Sequence, residues 1–305
     1  MNPPRPTLRA TLIGLAAIAL WSLLALLTAA SGPVPPFQLA AMTFAIGGAL
    51  GAAGFALRSC GFRLAITRLG QPVAVWALGV SGLFGYHALY FTALKTAPPA
   101  EAGLLNYLWP LLIVLLSGLL PGERLRLHHV AGALAGLAGT ILIFTGGRDV
   151  ALATDHIPGF AAAFVAAFVW SSYSVLMRRF AAVPTDMVAG FCLVTAVLSG
   201  IFHLIFEETV WICSPYPWMA VMALGLGPVG LAFYAWDFGI KHGDIRVLGA
   251  LSYAAPVLST AALVLAGYAE PTPTLGIAAA LIAGGGALAA KDLFTARPLR
   301  RATKN

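Results

Sequence analysis

Charge is the scarcest thing in this sequence. Lys and Arg number 18 and Asp and Glu 11 in 305 residues, ten per cent in all, where a soluble globular chain carries about 25%. Sixty per cent of the residues are apolar. No water-soluble domain can bury that much apolar surface, so the soluble classes are excluded. Cysteine is nearly as rare: Cys60, Cys192 and Cys213 are an odd count with no same-side partners, and no disulfide is expected. No stretch shows the apolar-polar alternation of a half-buried strand. The Walker phosphate loop, the zincin His-Glu-x-x-His and the Gly-x-Ser-x-Gly elbow are all missing, which argues against ATP hydrolysis and the hydrolase chemistries those motifs carry. GLGPVG at 225–230 has the spaced glycines of a dinucleotide turn, but no strand precedes it and Pro228 interrupts it. His128 and His129 are adjacent; on a helix their directions differ by about 100°, a poor geometry for a metal pair. No cofactor and no metal are expected.

What the chain has instead is long apolar runs. Ten can be counted, at 9–30, 36–57, 71–94, 99–120, 127–146, 157–178, 187–206, 217–239, 245–267 and 274–292. About 20 apolar residues cross a hydrocarbon core about 30 Å thick, and lipid offers no partner to a free N–H or C=O, so such runs are helices. The expected class is all-α integral membrane, embedded in a lipid bilayer. The net charge of +7 is a topology signal and not a nucleic-acid footprint. Sixteen of the 18 Lys and Arg fall at the termini or in loops of one parity, leaving only Lys95 and Arg148 opposite. By the positive-inside rule both termini are cytoplasmic. The first run follows Arg5 and Arg9 as a signal peptide would, but its apolar span exceeds the usual 7 to 15 residues, and it is kept as a span.

The chain also repeats itself. KTAPPAEAGLLNYLWPLL at 95–112 is echoed by KHGDIRVLGALSYAAPVL at 241–258, with Lys95 and Lys241, Gly103 and Gly249, Leu105 and Leu251, Tyr107 and Tyr253, and Pro110 and Pro256 at matching offsets. Trp21-Ser22 is echoed by Trp170-Ser171, and Pro36 by Pro184. Two units of five helices follow, 1–147 and 156–305. Five is odd, so the second unit enters the membrane from the other side. The expected fold is ten transmembrane helices as two inverted five-helix repeats around a central cavity, a plan common among secondary transporters.

With its Trp-Ser pair in the first helix of each half and its Tyr-x-x-Pro in the fourth, the chain resembles the drug/metabolite transporter superfamily, in its EamA-type branch. The segment GYHALYFTALKTAPPAEAGLLNYLWPLL is similar to the YddG-type exporters of aromatic amino acids. That resemblance implies a non-enzymatic inner-membrane exporter of small amphipathic metabolites, aromatic amino acids first, working by alternating access. The same-class alternative is an exporter of drugs or other metabolites. An integral-membrane lipid enzyme using Glu101, Asp237 and His87 is the rival of another kind, disfavoured because the three lie at different depths.

Candidate site residues follow from the helix breaks. Pro110 cannot donate to the carbonyl of Asn106, nor Pro256 to that of Ser252, so Asn106, Pro110 and Pro256 are candidate hinge residues. The alternative is a kink that only shapes packing. Tyr86 and Tyr90 lie one turn apart with His87 beside them; Tyr107, Trp109, Trp170, Ser252, Tyr253 and Trp21 complete an aromatic wall with polar tips, suited to a flat substrate bearing an ammonium. Trp76, Trp211, Tyr216, Trp218 and Tyr268 read as interfacial belt residues. Lys95 is expected to pair with Glu101, and Asp237 with Lys241 one turn on. Small-residue stripes at 47–54, 132–139 and 282–290 suit close helix packing, as scaffold or as the contact of a possible homodimer.

Overall fold

The computed structural model describes residues 7–57, 63, 67–121, 125–147, 154–267, 270 and 272–292. Cys60, Tyr268 and several of the loop arginines used for orientation lie outside them. Among the described residues every regular element is helical. The pieces are α1 (Leu8–Trp21), α2 (Leu24–Ala30), α3 (Pro36–Ala56), α4 (Val73–Val80), α5 (Tyr86–Thr96), α6 (Pro99–Asn106), α7 (Trp109–Ser117) and α8 (Leu127–Thr145). They continue as α9 (Ile157–Met177), α10 (Met187–Phe206), α11 (Pro215–Leu226), α12 (Ala232–His242), α13 (Ile245–Leu251), α14 (Ala254–Leu265) and α15 (Pro273–Ala289). Proline opens α3, α6, α11 and α15, where its missing N–H belongs to a turn that has no partner anyway.

Joined end to end, these pieces give eight helical stretches long and apolar enough to cross a bilayer, including Leu8–Ala30, Val73–Thr96 and Pro215–His242. Of the ten expected spans, the fourth and tenth are present as the shorter apolar helices Glu101–Ser117 and Pro273–Ala289.

Four interruptions are conspicuous. A π-helical turn, Ser81–Gly85, joins α4 to α5, and a second, Gly227–Leu231, joins α11 to α12. Gly227 follows Ser81 by 146 positions and Leu231 follows Gly85 by the same number (227 − 81 and 231 − 85), the offset at which Lys95 and Lys241 match. The GLGPVG motif is thus part of a widened membrane helix. The third interruption is the break at Pro110 between α6 and α7, matched by the one at Pro256 between α13 and α14. Here the structure differs from expectation at one atom: the Ser252 carbonyl is not left open, because the Ala255 N–H reaches it at 3.1 Å. A tighter three-residue turn restores the bond that Pro256 removes.

Glycine sets the helix contacts. A Cβ at Gly132 on α8 would collide with the Gly285 carbonyl oxygen on α15, and a Cβ at Gly239 on α12 would sit 2.5 Å from the Cα of Gly14 on α1. Gly47 on α3 approaches Gly230 in the second π turn in the same way. Gly132 and Gly139 on α8 thus meet Gly285 and Ile282 on α15 within one chain, as scaffold.

Candidate functional site

Indole rings from four elements meet at the centre. Trp21, last residue of α1, has its ring centroid 5.6 Å from Trp170 on α9, 6.4 Å from Trp109 on α7 and 5.1 Å from Trp236 on α12. Trp109 and Trp236 are 5.9 Å apart and meet edge to face at 87°. Phe233, one turn before Trp236, closes on Trp21 at 5.9 Å. Edge-to-face and offset contacts of this kind add about 0.5–1.5 kcal/mol per pair beyond area burial. The Trp21 Nε1–H donates to the Pro228 carbonyl in the second π turn at 3.0 Å, and the Trp236 Nε1–H to Ser174 Oγ at 3.1 Å.

The α5 residues form the adjoining wall. Tyr86 packs on Trp170 at 5.5 Å and stacks on Tyr90 at 6.0 Å with planes 16° apart. The His87 ring meets Phe44, Phe91 and Phe233, and its Nδ1 lies 2.6 Å from the Leu83 carbonyl. A carbonyl only accepts, so Nδ1 donates. Both π turns thus offer a widened-helix carbonyl to a side chain of the aromatic cluster. The Asn106 Nδ2 donates to the Tyr86 hydroxyl at 3.1 Å, while Asn106 Oδ1 is buried without a partner. At the α6–α7 break, the Ser171 hydroxyl donates to the Trp109 carbonyl at 3.0 Å.

Trp21, Tyr86, His87, Tyr90, Trp109 and Trp170 are thus brought together. Ser252 and Tyr253 are not part of this group. Ser252 donates to the Leu248 carbonyl of its own helix, and the buried Tyr253 ring packs on Gly136 of α8 in a separate cluster with Val114 and Ile282. Tyr107 packs on Phe144 at 5.4 Å. Two cluster members escaped the sequence reading, Trp236 and Phe233. The 146-residue offset that matched Lys95 to Lys241 also matches Tyr90 to Trp236 and His87 to Phe233, and would have found both.

The polar pairings differ from expectation at two places. Lys95 lies 3.5 Å from Glu207, not beside Glu101. Glu207 also accepts from the Phe37 and Gln38 N–H groups at the start of α3, each at 3.1 Å. A helix N-terminus attracts a carboxylate, and the start of α3 holds Glu207 within reach of Lys95. His128 and His129 do converge, because Asp292 draws both: its Oδ2 is 3.3 Å from one Nε2 and 3.6 Å from the other. However, His129 Nδ1 accepts from the Arg126 N–H at 3.1 Å. Its Nε2 therefore carries the proton and, at 3.6 Å from Asp292 Oδ2, makes no hydrogen bond to it, while Arg126 holds the other Asp292 oxygen at 2.7 Å. The group is a set of near contacts around an Asp292 carboxylate that Arg126 bonds. Asp237 and Lys241 pair as expected, at 2.8 Å and fully buried. Trp211, Tyr216 and Trp218 are exposed as belt residues are, whereas Trp76 packs inward on Phe191. Cys192 and Cys213 are free.

The family model described as "EamA-like transporter family" matches residues 8–145 and again 157–290. The chain belongs to this family. Being a transporter-family chain with many apolar helices, it is a multi-pass membrane protein. It is 59% identical over 282 residues to the aromatic amino acid exporter YddG of Ancylobacter novellus, covering 92% of this chain and 96% of the relative. The aromatic amino acid exporter YddG of Escherichia coli is 29% identical over 273 residues, 83% of this chain and 87% of that one. A solved crystal structure 58% identical in sequence superposes with a TM-score of 0.86, covering 92% of this chain and 96% of the other. In this EamA-family chain the aromatic cluster draws on both matched segments, Trp21 and Trp109 from the first and Trp170 and Trp236 from the second.

Proposed function

We propose that the protein exports small amphipathic metabolites, aromatic amino acids above all, across the inner membrane. The observation that carries this is the central cluster of Trp21, Trp109, Trp170 and Trp236 walled by Tyr86, Tyr90 and His87. Such rings bind a flat apolar side chain by stacking, and their faces attract an ammonium. The YddG relatives carry the matching substrate in their names.

The mechanism is alternating access between two inverted five-helix halves, 1–147 and 156–305, with ten transmembrane helices and both termini cytoplasmic. Support comes from the two family matches, from π turns that recur at one offset, and from the contact of offset partners His87 and Phe233 at 6.3 Å. Halves of opposite orientation can exchange conformations, which gives inward and outward states of similar energy. The breaks at Pro110 and Pro256 act as hinges, with Asn106 presenting its open Oδ1 at the first.

The test is flux of labelled phenylalanine and tryptophan in proteoliposomes, with and without a pH gradient. Saturable flux of both is expected. Flux of organic cations with none of either amino acid would overturn the substrate assignment in favour of a drug exporter.

A further inference from the structure

We infer that Asp237 and Lys241 are the recognition site for the charged head group of the substrate. The inference rests on the reading of an amino-acid exporter given above. An amino acid is a zwitterion, and the rings of the central cluster hold no fixed charge with which to match its ammonium and carboxylate. Directly beside that cluster is a matched pair: Asp237 follows Trp236 in α12, and its Oδ2 accepts from Lys241 Nζ at 2.8 Å. One turn before Asp237 on the same helix, Phe233 packs on Trp170 at 5.9 Å.

The pair makes little sense as a structural brace. Both side chains are fully buried, and the desolvation of a buried ion pair roughly cancels its attraction, so an apolar pair would serve stability as well. Ionisable residues persist inside membranes where function requires them. One carboxylate oxygen is moreover left open: Asp237 Oδ1 is buried and has no hydrogen-bond partner.

The surrounding bonds explain how a substrate would gain access. Outside α12 the pair is held by two bonds, Thr185 Oγ1 to Asp237 Oδ2 at 2.7 Å and Lys241 Nζ to the Val183 carbonyl at 3.0 Å. Both partners lie in the same short segment before α10. A single displacement of that segment frees an acid and an amine one turn apart on one helix. The substrate ammonium then replaces Lys241 on Asp237, its carboxylate replaces Asp237 on Lys241, and its ring reaches the indoles. Exchange of one ion pair for two keeps every buried charge compensated.

The experiment uses the full chain in proteoliposomes and counterflow of labelled tryptophan. Competitors are tryptophan, tryptamine, which lacks the carboxylate, and indole-3-propionate, which lacks the ammonium. In the natural sequence both analogues are expected to compete at least about tenfold more weakly than tryptophan. In the double variant Asp237→Asn with Lys241→Met, the tryptophan KM should rise about tenfold and the three ligands should converge to within about twofold. An unchanged KM with unchanged discrimination overturns the inference. If that variant does not elute as a single folded species, Asp237→Glu and Lys241→Arg keep both charges but move them; a raised KM for tryptophan with an unchanged value for tryptamine competition in Lys241→Arg supports the inference, and no change in either variant overturns it. Absence of tryptophan flux in the natural sequence is a different result, and refutes the amino-acid reading itself.

Discussion

Asp244 shows how one side chain can hold an end of this molecule together. It caps α13 by accepting from the Arg246 and Val247 N–H groups, receives the Arg246 guanidinium at 2.7 and 3.0 Å, and donates its own N–H to Thr11 Oγ1 on α1 at 2.9 Å. Burial works against its ionisation, but the Arg246 bonds and charge outweigh it and hold the carboxyl below the usual carboxylate range. A group so depressed lends its stability in full above the unfolded value of about 3.9, and the contribution is lost as pH falls through the lower folded value. Asp244→Ala should cost about 1–2 kcal/mol through the lost cap. In thermal melts of the detergent-solubilised protein, Asp244→Asn should also narrow the gap in Tm between pH 7 and pH 3; an equal gap in both proteins would remove Asp244 from the acid response. His87 makes a comparable local argument. Its Nδ1 proton is a second donor to the Leu83 carbonyl, which also accepts from the Tyr86 N–H, so His87→Leu removes one of two bonds and should lower stability by about 0.5–1.5 kcal/mol in the same melts.

At the scale of elements, helix contacts are decided by where glycine permits backbones to meet. Gly132→Ala places a methyl against the Gly285 carbonyl oxygen, which is backbone and cannot swing aside. The expected loss is about 1–3 kcal/mol from overpacking. Gly284→Ala on α15 is the control, because nothing lies within 4 Å of its Cβ position; in a helix interior it should be neutral or stabilising by about 0.5–1 kcal/mol. Equal melts for the two variants would show that the α8–α15 contact is not what the stripe provides. Much at this scale was legible beforehand. The long apolar runs gave the helices, and Pro110 and Pro256 marked the breaks within them. The π turns were not legible, since an inserted residue in a helix leaves no local composition signal. Nor was the orientation of Tyr253: matching Tyr107 by offset says nothing of which neighbour each ring faces, and Tyr253 faces Gly136.

For the whole molecule, what escaped the sequence was long-range pairing. Lys95 meets Glu207 across a gap of 112 positions (207 − 95), and charge parity could place the two on one side of the membrane but could not choose Glu207 over the nearer Glu101. The family and the Trp21–Trp170 pair were legible because the chain states the Trp-Ser pair twice, and Trp236 was missed because the repeat was followed through some residues and not all. The same duplication makes a prediction about motion. At the end of the molecule where α1 begins and α12 finishes, one half is bonded to the other by the Thr7 N–H to the His242 carbonyl at 3.0 Å and the Asp244 N–H to Thr11 Oγ1 at 2.9 Å. Alternating access requires these bonds to part once per cycle. In a background freed of Cys60, Cys192 and Cys213, Thr11→Cys with Asp244→Cys should form a disulfide on oxidation, stop tryptophan flux in proteoliposomes, and recover it with a reductant. Flux that continues with the disulfide formed would mean that the two halves do not separate at this end, and rocking of the halves would have to be abandoned as the mechanism.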